Sequence, residues 1–185
     1  FQDDKGTVTL DEGGYFAMTT MDAATELRND TIKALESMGI PIEYHHHEVA
    51  PSQHEIDMRY ADALAMADYT VTYRLIVKEV AKKAGYHATF MPKPLFGENG
   101  SGMHTHMSLF ADGRNAFFDE RARWQLSDVC LHYVGGLLRH ARGMCAVTNP
   151  LGQVIAEFKG TGDSDTCWQN AGGATNNMCL TARHV

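Results

Sequence analysis

Several things are scarce in this 185-residue sequence, and each scarcity removes a class of protein. The four cysteines, Cys130, Cys145, Cys167 and Cys179, form no C-x-x-C pair and no dense spacing, so reduced thiols are expected instead of a disulfide framework. No apolar run approaches the roughly 20 residues that a spanning helix needs. The opening FQDDKGTVTL has no basic stretch followed by an apolar one, so a cytoplasmic location with no membrane partner is expected. Basic residues are outnumbered, 16 Lys and Arg against 23 Asp and Glu, for a formal charge of -7. That balance argues against nucleic acid or an anionic membrane as the main partner. Internal repeats are absent, which excludes a solenoid.

What is present is an ordinary globular composition, 44% hydrophobic and 21% charged, enough for one domain with a core. Histidine is plentiful at ten residues. The stretch that organises the rest runs from Phe90 to Phe110, FMPKPLFGENGSGMHTHMSLF. Its first half, Pro92 to Gly102, reads as a Gly- and Pro-rich loop whose Gly100 and Gly102 let backbone approach a ligand. A strand is predicted from Met103, and alternation then sets His104, His106, Ser108 and Phe110 on one face, with Met103, Thr105, Met107 and Leu109 on the other. Imidazole and hydroxyl on one face suit a metal and a polar substrate; a surface or hydrogen-bonded role for the two His is the plainer alternative.

Elsewhere the pattern predicts a hairpin over Gly6–Leu10 and Tyr15–Met18 joined by DEGG. A helix follows from an Asp22 cap to Met38, buried through Leu27, Thr31, Ala34, Leu35 and Met38, with Gly39 as its stop. Ile42 to Val49, IEYHHHEV, reads as a strand and APSQHEID as a loop; together they hold Glu43, three consecutive His, Glu48, His54 and Glu55 within thirteen residues. Carboxylates with an imidazole suit a hard or borderline divalent ion that handles phosphate, whereas an all-His and Cys set would suggest zinc. A long helix is predicted over Asp62–Ala84 with Leu64, Ala67, Val71, Leu75 and Val80 as its core stripe, then a strand from Ala88 to Met91. A turn at Asp112 and Gly113 and a final helix over Ser127–Val147, capped by Ser127 or Asp128, complete the compact part, residues 1–150. Residues 151–185 are rich in Gly, Thr and Asn without sustained periodicity, and no structure is assigned to them.

Three blocks, HHHEVAPSQHEID at 45–57, HATFMPKPLFGENGSGMHTHMSLF at 87–110 and LLRHARGMCAVTNP at 137–150, resemble the catalytic domain of type I glutamine synthetase, and the opening GTVTLDEGGYF fits that domain's early hairpin. The resemblance implies an α+β fold, a curved antiparallel sheet backed by helices, here incomplete. It implies an ATP-dependent glutamate–ammonia ligase in which the glutamate γ-carboxylate attacks the ATP γ-phosphate and ammonia displaces phosphate from the γ-glutamyl phosphate, with two divalent ions, Mg2+ or Mn2+, in the site. Carried over by position, Glu48 and Glu55 match ligands of the metal on the glutamate side and His104 a ligand of the metal nearer the ATP phosphates. Asn99 and Gly100 match the loop against the substrate glutamate; Glu43, Tyr60, His106 and Ser108 match the nucleotide side.

The resemblance also implies what is missing. Phe1 falls after an acidic Glu-x-Glu strand that gives each metal a ligand, and after the small N-terminal domain that completes a neighbour's site within stacked hexameric rings. Residues 151–185 depart from the family, whose flap glutamate, arginines and last metal-binding Glu are not recognisable there. The chain is therefore expected to be incomplete as a catalyst and unable to supply the wall those rings need. Two alternatives stay open: a γ-glutamyl ligase using a polyamine or another amine, and a non-catalytic homologue. A cupin-like metal barrel is disfavoured because no Glu follows His106 at the short spacing that motif needs.

Overall fold

A computed structural model describes residues 8–18, 20, 22–148 and, as backbone, 178–180. They fall into two compact units, one up to Asn99 and one from Gly100.

The first unit is two helices and a β-ribbon. Helix α1, Thr25–Ser37, starts three residues after the predicted cap. Asp22 still serves the helix start, accepting from Ala24 N–H at 3.2 Å and Thr25 Oγ1 at 3.0 Å. The chain leaves α1 through Gly39, whose φ of +80° is left-handed backbone that a side chain would strain. Strand β1, Ile42–His47, pairs antiparallel with β2, His54–Met58. The expected loop over His54–Asp57 is thus mostly strand. Its polar sequence hides this, since both of its faces carry ionisable groups. Helix α2, Ala63–Lys83, is capped as expected, with Asp62 accepting from Ala65 N–H at 3.1 Å.

Leu35, Ile40 and Ile42 form the buried centre of this unit, with Ile32, Ile56, Met58, Tyr69, Tyr73 and Ile76 packed around it. The expected α2 stripe is not that face: Leu64, Val71 and Leu75 are exposed. The helix carries apolar residues at helical spacing on two faces, 64-71-75 and 69-73-76, and only packing against the Leu35, Ile40 and Ile42 cluster selects the second. α1 likewise turns Met38 outward and buries Arg28 instead.

In the second unit β3, Thr105–Met107, begins two residues later than predicted and pairs in parallel with the backbone of Met178–Leu180, β6. A two-residue hairpin joins β4, Phe110–Ala111, to β5, Arg114–Asn115, through Asp112 and Gly113, both at positive φ, which is the twist-matched turn that Asp-Gly favours. Helix α3, Asp128–Thr148, has Ser127 as its cap: Ser127 Oγ accepts from Cys130 N–H at 3.2 Å and donates to Ala116 O at 2.6 Å. Tyr133 of α3 packs on fully buried Phe117, ring centroids 5.1 Å apart.

The described residues form an α+β fold, with three α-helices and short two-stranded ladders, two antiparallel and one parallel. Two predicted pieces are corrected. Residues 10–18 form no strand, and Phe16 turns to φ 55° with its N–H on His47 O at 2.9 Å. Residues 88–91 are irregular, consistent with Pro92 and Pro94 immediately after them. Expectations for Gly6, Thr7 and residues 151–177 lie outside the described residues. No helix among the described residues is long and apolar enough to cross a membrane.

Candidate metal centre

The β1–β2 ribbon sorts the histidine- and acid-rich stretch into two faces. Its register sets Tyr44 opposite Asp57, His46 opposite Glu55 and His47 opposite His54. The register shifts between Ile42 and Tyr44, a bulge around Glu43. The extra residue lets Ile42 share the core face with His45 and His47 while Tyr44 and His46 face the other way. The connection closes through Glu48 N–H to Gln53 O, 2.7 Å, and Gln53 N–H to Ala50 O, 3.1 Å. Glu48 is thereby held just past the end of β1, on the face of His46.

On that face His46 Nε2 lies 3.2 Å from Glu48 Oε1 and 3.9 Å from Glu55 Oε2, and His46 Nδ1 lies 3.9 Å from Asp57 Oδ2. Donor atoms of His46, Glu48 and Glu55 all lie within 4.8 Å of one another. Burial, the hydrogen bond with Glu48 and the charge of Asp57 push the Glu55 carboxyl up to about 8. Crowded carboxylates that share a proton are what a divalent cation relieves. The Asp57 charge also raises the Tyr44 phenol above its ordinary value. Phe16 stacks on the His46 ring, centroids 4.4 Å apart and planes 11° apart, and Tyr15 meets it edge-on at 5.5 Å.

The opposite face is a buried network built on Arg28. Its Nε donates to His45 Nδ1 and its Nη1 to His54 Nδ1, both at 2.8 Å, while Nη1 and Nη2 hold Asp22 at 2.9 and 2.5 Å. That hydrogen bond keeps the Asp22 carboxyl far below its ordinary range. Burial and the Arg28 charge push His54 down to about 4, and burial lowers His45 as well. Asp11 bridges to this face, taking Ser52 N–H at 2.9 Å and Ala23 N–H at 3.0 Å and meeting His47 Nε2 at 2.9 Å. Burial raises its pKa, but the hydrogen bonds from His47, Ser52 and Ala23 outweigh that, and the net shift is downward.

Asp11, His47 and His54 also bring donors within 4.8 Å, yet they do not fit a metal. Arg28 has only protons to give, so His54 Nδ1 is an acceptor and the ring proton sits on Nε2, where a ligand needs a lone pair. His47 has an acceptor at each ring nitrogen, Glu48 O at 2.6 Å from Nδ1 and Asp11 Oδ1 at 2.9 Å from Nε2. This face is a positioning network for β1, and Glu48 sits at its end.

Of the residues singled out from sequence, Glu48 and Glu55 are brought together. Glu43 is exposed at the bulge and Tyr60 is exposed just after β2. Asn99 ends the first unit. Gly100, His104, His106 and Ser108 belong to the second; His104 precedes β3, and His106 is exposed between the half-buried Thr105 and Met107. The expected single strand face ends early, because β3 stops at Met107 before Ser108. Sequence reasoning held His46 only as one of three consecutive His and missed Asp57 and Phe16. Alternation along two paired strands would have singled out His46 and found Asp57, had residues 54–57 been read as strand.

Residues 2–153 match the family described as "Glutamine synthetase, catalytic domain". The chain is 57% identical over 145 residues to a glutamine synthetase of Thermus thermophilus, covering 78% of this chain and 32% of that protein. Among solved structures it resembles a Plasmodium falciparum glutamine synthetase, with TM-score 0.70 and 32% identity over 80% of this chain and 29% of that one. It also resembles a GmaS–ADP complex, with TM-score 0.73 and 27% identity over 89% of this chain and 39% of that one. The chain spans about a third of the length of the curated relatives it matches.

Proposed function

The chain belongs to the glutamine synthetase catalytic-domain family, and from that we propose that it carries part of the active site of an ATP-dependent glutamate–ammonia ligase. The observation that carries the reading is the convergence of Glu48 and Glu55 on one face of the ribbon, beside a buried imidazole. Two carboxylates and an imidazole form a donor set suited to Mg2+ or Mn2+. In the proposed reaction the γ-carboxylate of glutamate attacks the ATP γ-phosphate and releases ADP; ammonia then attacks the γ-glutamyl carbon, loses a proton and expels phosphate. A bound divalent ion offsets the negative charge of the carboxylate and phosphate oxygens brought together there.

This chain's own residues bind and orient. Glu48 and Glu55 would hold the ion on the glutamate side, and the Arg28 network fixes the strand that carries Glu48. His104 would hold the second ion. Asn99 and Gly100 would contact glutamate, Gly100 through backbone that no side chain obstructs. Glu43, Tyr60, His106 and Ser108 would line the nucleotide side; the ADP of the similar GmaS complex supports a nucleotide site in this fold. The match over 2–153 supports a catalytic part at 1–150, with 151–185 departing from the family. A homo-oligomer and a cytoplasmic location accompany the reading.

Calorimetric titration of the chain with Mn2+ and a non-hydrolysable ATP analogue tests it. Saturable binding is expected, with the Mn2+ signal lost in Glu48→Ala and weakened in His104→Ala. Binding indifferent to both substitutions would overturn the assignment.

A further inference from the structure

The sequence holds one Asn-Gly pair, Asn99–Gly100, inside the run LFGENGSG of residues 95–102. Such a pair carries chemistry of its own, because the side-chain amide carbon and the next residue's backbone nitrogen can close a five-membered ring. Closure needs the Asn ψ to rotate until that nitrogen reaches that carbon, which the fixed dihedrals and paired amides of a helix or ladder prevent. A Cβ on the following residue narrows the backbone range and crowds the nitrogen. Glycine does neither.

Three asparagines lie among the described residues, and the fold treats them differently. Asn29 is inside α1. Asn115 is in β5, its Oδ1 accepts from Phe117 N–H at 2.9 Å, and Ala116 follows it. Asn99 is exposed and lies outside every helix and strand. Phe96, Gly97 and Glu98 before it are exposed as well, and Gly97 turns at φ +84° with open space where a side chain would stand. Water therefore reaches the Asn99 amide, and glycines at 97, 100 and 102 give the backbone around it its range.

We propose that Asn99–Gly100 is a self-modifying site, at which the loop converts without an enzyme to aspartyl and isoaspartyl forms. The Gly100 amide nitrogen, having given its proton to base, bonds to Asn99 Cγ. The Cγ–Nδ2 bond breaks, and that nitrogen takes back a proton and leaves as ammonia. Water then opens the cyclic imide at one of its two carbonyls. Opening at Cγ restores the ordinary main chain with an aspartyl side chain; opening at the backbone carbonyl routes the main chain through Cβ and Cγ. Water is the only co-reactant, and no atom is oxidised or reduced. Both products gain a negative charge, and the second also lengthens the loop by one main-chain carbon. In the function proposed above this loop faces the substrate glutamate, so the new carboxylate opposes an anion; the modification itself does not rest on that reading.

The full chain is aged at mildly alkaline pH in 18O-enriched water and digested. The peptides holding Asn29, Asn99 and Asn115 are followed by mass spectrometry, and isoaspartyl groups are counted with an isoaspartyl methyltransferase. Uptake of 18O is expected at Asn99 and not at Asn29 or Asn115, in two isomers of which one is methylated, and slower at mildly acidic pH. The rate at Asn99 should lie no more than about tenfold, or about 1.4 kcal/mol on the barrier, below that of the free peptide LFGENGSG, and Gly100→Ala should slow it by at least that factor. An Asn99 amide that persists while the free peptide converts would overturn the proposal, as would equal uptake at all three asparagines. The comparison of wild-type chain with free peptide decides the matter even where Gly100→Ala does not fold. None of these readouts involves glutamate, so a failure of the glutamate contact leaves them unmoved.

Discussion

Replacing Arg28 by Met is the sharpest test of how the ribbon is held. Arg28 is 5% exposed and its partner Asp22 has a side chain 4% exposed, so the substitution strands a carboxylate away from water. It also removes the donors to His45 Nδ1 and His54 Nδ1. Breaking a buried pair from one side costs about 3–5 kcal/mol, against a total of about 5–15 kcal/mol for a domain. At about 4–8 °C per kcal/mol for a unit near 100 residues, the midpoint should drop by at least about 12 °C. Urea and thermal unfolding followed by circular dichroism in metal-free buffer would measure this, with Asp22→Leu/Arg28→Met recovering part of the loss because no charge is then stranded. The acid limb supplies a second reading. Arg28 holds the folded Asp22 carboxyl below its ordinary 3.8, so the stabilisation is complete above that pH and disappears as pH falls through the lower folded value. Without Arg28 this part of the acid limb should flatten. A loss below about 1 kcal/mol with an unchanged acid limb would refute the reasoning.

Two further outcomes follow from the same ribbon. A Cβ on Gly13 would sit 2.5 Å from His47 Nε2, on a fully buried ring pinned at both nitrogens, whereas one on Gly14 meets nothing within 4 Å. Gly13→Ala should cost about 1–3 kcal/mol by urea unfolding and Gly14→Ala less than about 1; equal losses would sink the account of His47. Glu55 predicts proton release. Its carboxyl is raised from 4.5 to about 8 in the metal-free protein, so between those values the folded state holds a proton the unfolded chain lacks. Its contribution to metal-free stability therefore declines as pH climbs through that window. A cation must displace that proton, so Mn2+ affinity should rise with pH and level off near 8. Calorimetry at pH 7 in buffers of different ionisation enthalpy should show close to one proton released, and none in Glu55→Gln; a wild-type value near zero would contradict the shift.

Much of this protein is legible in its sequence because the signals are local. Asp62 and Ser127 mark helix starts with a side-chain oxygen, Gly39 and Gly85 mark helix ends by their freedom to turn left-handed, and Asp112-Gly113 selects its hairpin. Three blocks, at 45–57, 87–110 and 137–150, point to the family, and the first of them to Glu48 and Glu55 as the proposed ligands, since residue type and order suffice for that. Other features depend on partners distant in the chain. Which of two apolar faces α2 buries is set by the Leu35, Ile40 and Ile42 cluster. Residues 54–58 become a strand only by pairing with β1, and that pairing brings Asp57 to one edge of His46 and Glu55 to the other. Residues 10–18 spend their hydrogen-bonding groups on His47, Ser52 and Ala23, leaving no hairpin and setting Phe16 on the His46 ring. The sequence alone determined the presence of the described helices, the Asp62 and Ser127 caps and the residue types of the candidate site. Tertiary structure decided which imidazole faces the carboxylates, because a one-residue bulge at Glu43 assigns His46 and its neighbours to opposite faces, and no local preference encodes that choice.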